Sequence, residues 1–147
     1  MPSRQRQTAD ALVCAFNNMD NDAILSLRAP DCMRQILPLS LNFPAQSNAK
    51  YLANLSSMKS LFTSFQIRVD DVIEDLVQRK IVMFVTALGQ TPVGEYNNEY
   101  VWKMKFDEAG EKIVEWSEFV DVGMVKDFYP RLVAEIKRRE EEKEKGS

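Results

Sequence analysis

Apolar residues recur at intervals of three and four through the first sixty positions, and then the interval drops to two. From Thr8, read as an N-cap, Leu12, Phe16 and Met19 fall at i, i+4 and i+7, the stripe of one helix. "DNDAILSLRAPDC" reads as a short second helix, capped by Asp20 or Asn21 with Ile24 and Leu27 turned inward, and Pro30 stops it. "DCMRQILP" is a short strand. In "SNAKYLANLSSMKSLF", Tyr51, Leu52, Leu55, Met58, Leu61 and Phe62 gather on one face of a third helix.

From residue 65 the pattern is that of strands. Phe65, Ile67 and Val69 alternate with Gln66, Arg68 and Asp70, and "KIVMFVTAL" follows a polar turn around Gln78 and Arg79. The alternation slips at Asp70 and Asp71, which suggests a β-bulge. After the loop "GQTPVG", Tyr100, Trp102, Met104 and Phe106 share one parity; after the turn "DEAGEK", Val114, Trp116, Glu118 and Val120 do. Phe128, Leu132 and Ile136 mark a C-terminal helix, with a charged helical tail from about residue 135 in which Glu135 and Arg139 stand four apart.

Helices followed by a strand meander give an α+β order. The expected architecture is a cone-shaped, curved antiparallel sheet wrapped around N-terminal helices, with a C-terminal helix and a single domain over 1–147. One end of such a cone fills with Leu, Ile and Phe, and the other leaves a cleft.

Composition narrows the partners. The chain carries 19 basic and 22 acidic residues, a net charge of −3, with the bases scattered or interleaved with Glu. That predicts no nucleic-acid partner. No apolar run approaches the roughly 20 residues that span a bilayer, so no membrane association and a cytoplasmic location are expected. The two cysteines, Cys14 and Cys32, lack the spacing of a disulfide scaffold. Histidine is absent, which removes the commonest general base and every Ser-His or Cys-His pair.

The chemistry therefore falls to carboxylates, phenols and guanidinium groups. Glu118 stands in an apolar register beside Trp116. It is either a general acid or base in the cleft or a residue at a fraying strand end, in water or in a structural ion pair. Tyr96, Asn98 and Tyr100 share its inward parity, and phenols can donate to an oxygen that gains charge; ordinary sheet packing is the other reading. Arg34 shares parity with Cys32 and Ile36, so it either points into the cone toward a carboxylate or lies at the surface. Arg28 is a weaker candidate, and Asp121 reads as structural.

At "RAPDCMRQILP", "NEYVWKMKF" and "EFVD" the sequence resembles the SnoaL-like proteins of the nuclear transport factor two-like superfamily. More narrowly, it is similar to small fungal isomerases of natural-product pathways, which rearrange meroterpenoid, xanthone or spiro-indole alkaloid intermediates. The resemblance runs from about Thr8 to the "FYPRL" helix. It implies a homodimeric α+β barrel that binds a small apolar polycyclic substrate and uses no metal or organic cofactor. It also implies a Tyr, a second Tyr four residues on and a later Glu, which Tyr96, Tyr100 and Glu118 match, with Arg34 as the polar residue of the pocket floor. Family members that use a His and Asp pair cannot be copied by a chain without histidine.

The expected function is a cofactor-free isomerase or cyclase that rearranges a polycyclic intermediate of fungal secondary metabolism. Glu118 would move a proton, Tyr96 and Tyr100 would hold a carbonyl or hydroxyl, and Arg34 would orient Glu118 or steady an anion. Trp102, Trp116, Met58, Phe62 and Asn98 would shape or contact the substrate. The alternatives are a dehydratase on the same fold, a pocket that only holds one reactive conformer, and a non-catalytic ligand-binding or dimerisation module.

Overall fold

The computed structural model describes residues 1–146; Ser147 lies outside them. Helix α1 spans Arg4–Asn17 and α2 Asn21–Ser26, followed by strand β1, Arg28–Leu37, and a single 3-10 turn at Leu39–Leu41. Helix α3 covers Asn48–Lys59, and the strands β2 (Ser64–Asp75), β3 (Lys80–Thr91), β4 (Gly94–Phe106) and β5 (Ile113–Val120) follow. Helices α4 (Val122–Asp127) and α5 (Tyr129–Lys145) complete the chain.

The five strands form one curved, unclosed sheet in the order β1-β5-β4-β3-β2. Strands β2 to β5 pair antiparallel, as their alternation predicts. Strand β1, longer than expected because it begins at Arg28 and takes in Pro30, joins them in parallel along β5. That parallel pairing sets Ile36 opposite Glu118 and Arg34 opposite Trp116, so the inward parity of β1 meets that of β5. The predicted irregularity at Asp70 and Asp71 is a register shift between Val69 and Asp71.

Some element ends differ from the sequence expectation. Ser3, not Thr8, caps α1 by accepting from the Arg6 N–H. Thr8 is instead buried one turn inside the helix, donating to the Gly110 carbonyl at 2.5 Å. Asp20 caps α2 as predicted. Met19 lies beyond the end of α1 with φ 51°, off the stripe. The third helix stops at Lys59, so Leu61 and Phe62 reach the core from the turn that follows, and Leu52 faces solvent. Strand β3 runs on through Gln90 and Thr91, which shortens the expected loop to a tight hairpin.

The core fills the concave side of the sheet. Ile81, Met83, Val85 and Ala87 of β3, Trp102, Met104 and Phe106 of β4, and Ile113 and Trp116 of β5 pack with Leu12 and Phe16 of α1. A smaller cluster of Leu61, Phe128 and Leu132 ties the turn after α3 to the start of α5. At the other end of the sheet the inward residues are left facing a cavity.

Candidate active site

The cavity encloses about 160 Å³. That is close to the space that holds one six-membered ring in a dry apolar core. Its walls are Phe16, Tyr51, Phe62, Phe65, Ile67 and Trp102; Phe43, Asn54, Val125 and Tyr129 lie on the side formed by α3, α4 and α5. Arg34, Gln46, Tyr96, Asn98, Tyr100 and Glu118 contribute its polar atoms.

Glu118 is 3% exposed. It sits two residues before the end of β5, but it is paired on both sides, with Ile36 of β1 and Trp102 of β4, so it is held in the sheet rather than frayed into water. Arg34 Nε lies 2.5 Å from Glu118 Oε1, so the inward reading holds for both residues. Arg34 is held in turn by Gln46. The two backbones exchange hydrogen bonds of 2.9 Å, and Arg34 Nη1 donates to Gln46 Oε1 at 2.6 Å. Its guanidinium also rests 4.6 Å from the centre of the Tyr51 ring. Burial weighs against the guanidinium charge, but the Glu118 carboxylate more than offsets it, and Arg34 binds its proton more tightly than an ordinary arginine. Among the described residues Glu118 Oε2 accepts no hydrogen bond, which leaves one carboxylate oxygen for a ligand.

The phenols stand beside this pair. Tyr100 faces Val120 across the β4–β5 ladder, one diagonal step from Glu118 on the same face. The hydroxyls of Tyr96 and Tyr100 are hydrogen-bonded to each other, and Asn98 Nδ2 donates to Tyr96 Oη at 3.0 Å. Burial, then the nearby Tyr96 and Glu118, push Tyr100 well above the ordinary tyrosine range. Burial also raises Tyr96, against its hydrogen bonds with Tyr100 and Asn98. Both phenols therefore stay protonated at neutral pH, as donors.

Eight of the nine residues singled out in the sequence line the cavity. Trp116 does not. Although it shares the parity of Glu118, its indole is 2% exposed and packs edge-on against Tyr51 and Trp102, at 5.9 and 5.3 Å between ring centres. It supports the wall from behind. Asn98 lines the cavity, yet both ends of its amide are engaged, the oxygen accepting from the Asp121 N–H at 3.3 Å. Arg28 is buried outside the lining, stacked 4.7 Å over Tyr51 with Nη2 on the Cys32 carbonyl.

Sequence reasoning missed Gln46, Tyr51 and Tyr129. Tyr51 was legible only as part of an apolar stripe, and Gln46 lies in an irregular segment with no periodicity to place it. Tyr129 sits beside Phe128, the residue the helical stripe singles out; its hydroxyl accepts from Asn54 Nδ2 at 3.4 Å. Among the described residues no three His, Cys, Asp or Glu side chains gather as a metal-binding group.

Comparison with known proteins adds a lineage to this geometry. No family model matches the chain. "Monooxygenase AacuP" of Aspergillus aculeatus is 30% identical over 137 residues, 93% of this chain and 94% of that protein. "Austinoid biosynthesis cluster protein H" of Aspergillus calidoustus is 30% identical over 126 residues, 82% and 86% of the two chains. Among solved structures, the BvnE pinacolase from Penicillium brevicompactum superposes with a TM-score of 0.84 at 25% identity, covering 89% of this chain and 92% of that one. A putative SnoaL-like polyketide cyclase from Shewanella denitrificans shares the fold, with a TM-score of 0.70 at 13% identity over 86% and 97% of the chains.

Proposed function

The chain belongs to the SnoaL-like family of fungal biosynthetic-cluster proteins, and from that membership we propose that it is an isomerase or cyclase. It rearranges a polycyclic intermediate of fungal secondary metabolism, using its own side chains as acid and base. The observation that carries this reading is the buried Arg34–Glu118 pair, with Oε2 unengaged among the described residues, next to a protonated Tyr100 in an aromatic cavity. A carboxylate that accepts and a phenol that donates, on neighbouring positions of one sheet face, supply both halves of an acid–base-assisted shift.

The name pinacolase on one structural relative suggests the form of that shift. Glu118 Oε2 draws the proton from a substrate hydroxyl, whose oxygen becomes a carbonyl as a carbon–carbon bond migrates to the adjacent carbon. The electron pair released there goes to a second oxygen, which Tyr100 steadies and which ends protonated. No atom is gained or lost, so the product is an isomer. Arg34 gives Glu118 its counter-charge and aims it, and Gln46 keeps Arg34 in place. With room for about one ring in the enclosed part, the reacting end of the substrate enters and the rest lies toward Phe43, Asn54 and Tyr129.

The name monooxygenase on another relative favours a second reading, insertion of oxygen. Replacing the native allele by Glu118→Gln in the organism that carries it separates the two by accurate mass. Loss of a product in favour of a compound of the same mass supports rearrangement. A precursor lighter by one oxygen supports oxygenation, and one heavier by one water supports dehydration. An unchanged profile removes Glu118 from the chemistry and favours a conformer-holding pocket or a binding module.

The proposed assembly is a homodimer through the outer face of the sheet. Phe84, Val101 and Phe119 are in register across β3, β4 and β5, and Phe84 and Phe119 are exposed. A second copy would cover this row, and Phe119→Glu would yield monomers in sedimentation equilibrium. A wild-type monomer at the same concentration would refute the assembly.

A further inference from the structure

We propose that Asn98 is a positioning residue that fixes the direction of both phenolic protons and so makes the Tyr100 O–H the group that meets the substrate; this rests on the rearrangement reading above. Asn98 is 2% exposed, on β4 between the two tyrosines. Its amide has one possible orientation. A backbone N–H only donates, so the oxygen must face the Asp121 N–H, and Nδ2 then points to Tyr96 Oη.

That choice propagates. Tyr96 Oη accepts from Asn98, and its own proton needs an acceptor. The rings packed around it are those of Phe62, Phe65 and Phe128, which offer none. Among the described residues, Tyr100 Oη is the one acceptor within reach. Tyr96 therefore donates to Tyr100, and Tyr100, receiving that bond, turns its proton away from Tyr96. The opposite order would strand the Tyr96 proton among phenylalanines, where an unmade hydrogen bond is costly.

The substrate class follows from the polarity of the site. Tyr100 offers a proton donor and Glu118 Oε2 an acceptor, side by side. The site thus takes a molecule with an acceptor oxygen, a carbonyl or an epoxide, beside a hydroxyl. A molecule with two carbonyls would meet the donor but leave the carboxylate without a partner. A second hydroxyl facing Tyr100 could bond there only by accepting.

The test reverses the relay without changing its shape. In Asn98→Asp the side chain has only acceptors, so the Tyr96 proton turns to it, Tyr100 donates to Tyr96, and Tyr100 shows the cavity a lone pair. The probe is carbonyl-labelled acetophenone, a one-ring ketone with no proton to give, followed by isotope-edited infrared spectroscopy and by titration. Wild type should lower the carbonyl stretch on binding. Asn98→Asp and Tyr100→Phe should each lose that shift and bind roughly threefold to tenfold more weakly, the value of one hydrogen bond.

A shift retained in Asn98→Asp but lost in Tyr100→Phe would overturn the positioning role and leave Tyr100 as donor. A shift retained in Tyr100→Phe, or absent from wild type, would overturn the inference as a whole. Failure of the rearrangement reading shows elsewhere, in the product of Glu118→Gln. Because a buried aspartate can disturb folding, neutron diffraction from wild-type crystals gives an independent answer. The deuteron of Tyr96 should lie toward Tyr100, and that of Tyr100 should lie in the cavity; the reverse order refutes the proposal.

Discussion

Removing one member of the Arg34–Glu118 pair should cost far more than removing both. In Glu118→Leu the guanidinium, 12% exposed, keeps its bond to Gln46 and its place over Tyr51 but loses its counter-charge. Breaking a buried pair in this way costs about 3–5 kcal/mol, and the residual exposure of Arg34 places the loss near ~3. In Arg34→Met the carboxylate, 3% exposed, loses its only hydrogen-bond donor among the described residues, and the loss should be ~4 kcal/mol. Were the two effects independent, the double variant would lose ~7 kcal/mol, comparable with the whole stability of many domains. Replacing both by apolar side chains instead removes the desolvation penalty along with the attraction. Glu118→Leu/Arg34→Met should therefore unfold within ~1 kcal/mol of wild type. The assay is urea unfolding. With a slope of ~2 kcal/mol per molar, each single variant moves the midpoint down by roughly 1.5–2 M and the double by less than ~0.5 M. Activity should not follow stability: the double variant, though stable, should form no product, because both the base and its orienting cation are gone. A double variant destabilised by the sum of the singles would refute the claim that the pair acts as one buried unit.

Alkali should act through the phenols. Tyr51, Tyr96 and Tyr100 all have folded pKa values above the ordinary tyrosine value, in each case first because of burial. A group raised in the folded state lends stability that is complete below its unfolded pKa, about 10, and is lost as pH rises through the folded value. Stability should fall only above pH ~10, and the tyrosinate absorbance of these three should appear together with unfolding; a separate earlier step in native protein would contradict their burial. Trp116→Phe should lower stability by ~1–3 kcal/mol while acetophenone affinity stays within about twofold, whereas Trp102→Ala should weaken binding as well. Calorimetric titration checks both, and a large binding loss in Trp116→Phe would return that residue to the wall. Gly89→Ala places a Cβ 2.7 Å from the Phe62 ring and 2.8 Å from the Ser64 carbonyl oxygen. It should cost ~1–3 kcal/mol and disturb the cavity side that Phe62 forms; unchanged stability and affinity would mean that the Phe62 ring yields freely.

Residue parity carried much of the candidate site. Strand side chains alternate strictly, so parity alone puts Tyr96, Asn98, Tyr100 and Trp102 on one face of β4 and Glu118 on the apolar face of β5; the pairing of Trp102 with Glu118 makes these one face. The same rule aimed Arg34 inward. Parity says nothing of depth along the strand, however. Trp116 and Glu118 share a face, but one lies under Tyr51 and Trp102 and the other opens on the cavity.

The sequence by itself determined most of the helices and strands, the inward parity of the site strands, and that any catalysis must proceed without imidazole; it did not show the short helix α4 or the exposure of Leu52. What it determined is local, set by periodicity and residue type within a few positions. Only the tertiary structure decided that β1 runs parallel to β5 and so joins Arg34 to Glu118, residues 84 positions apart. It also decided that Gln46 and Tyr51 hold that guanidinium, and that the Asp121 N–H orients the Asn98 amide. Each of these depends on the packing of segments distant in the chain, and no local pattern encodes which distant segment will arrive or at what register.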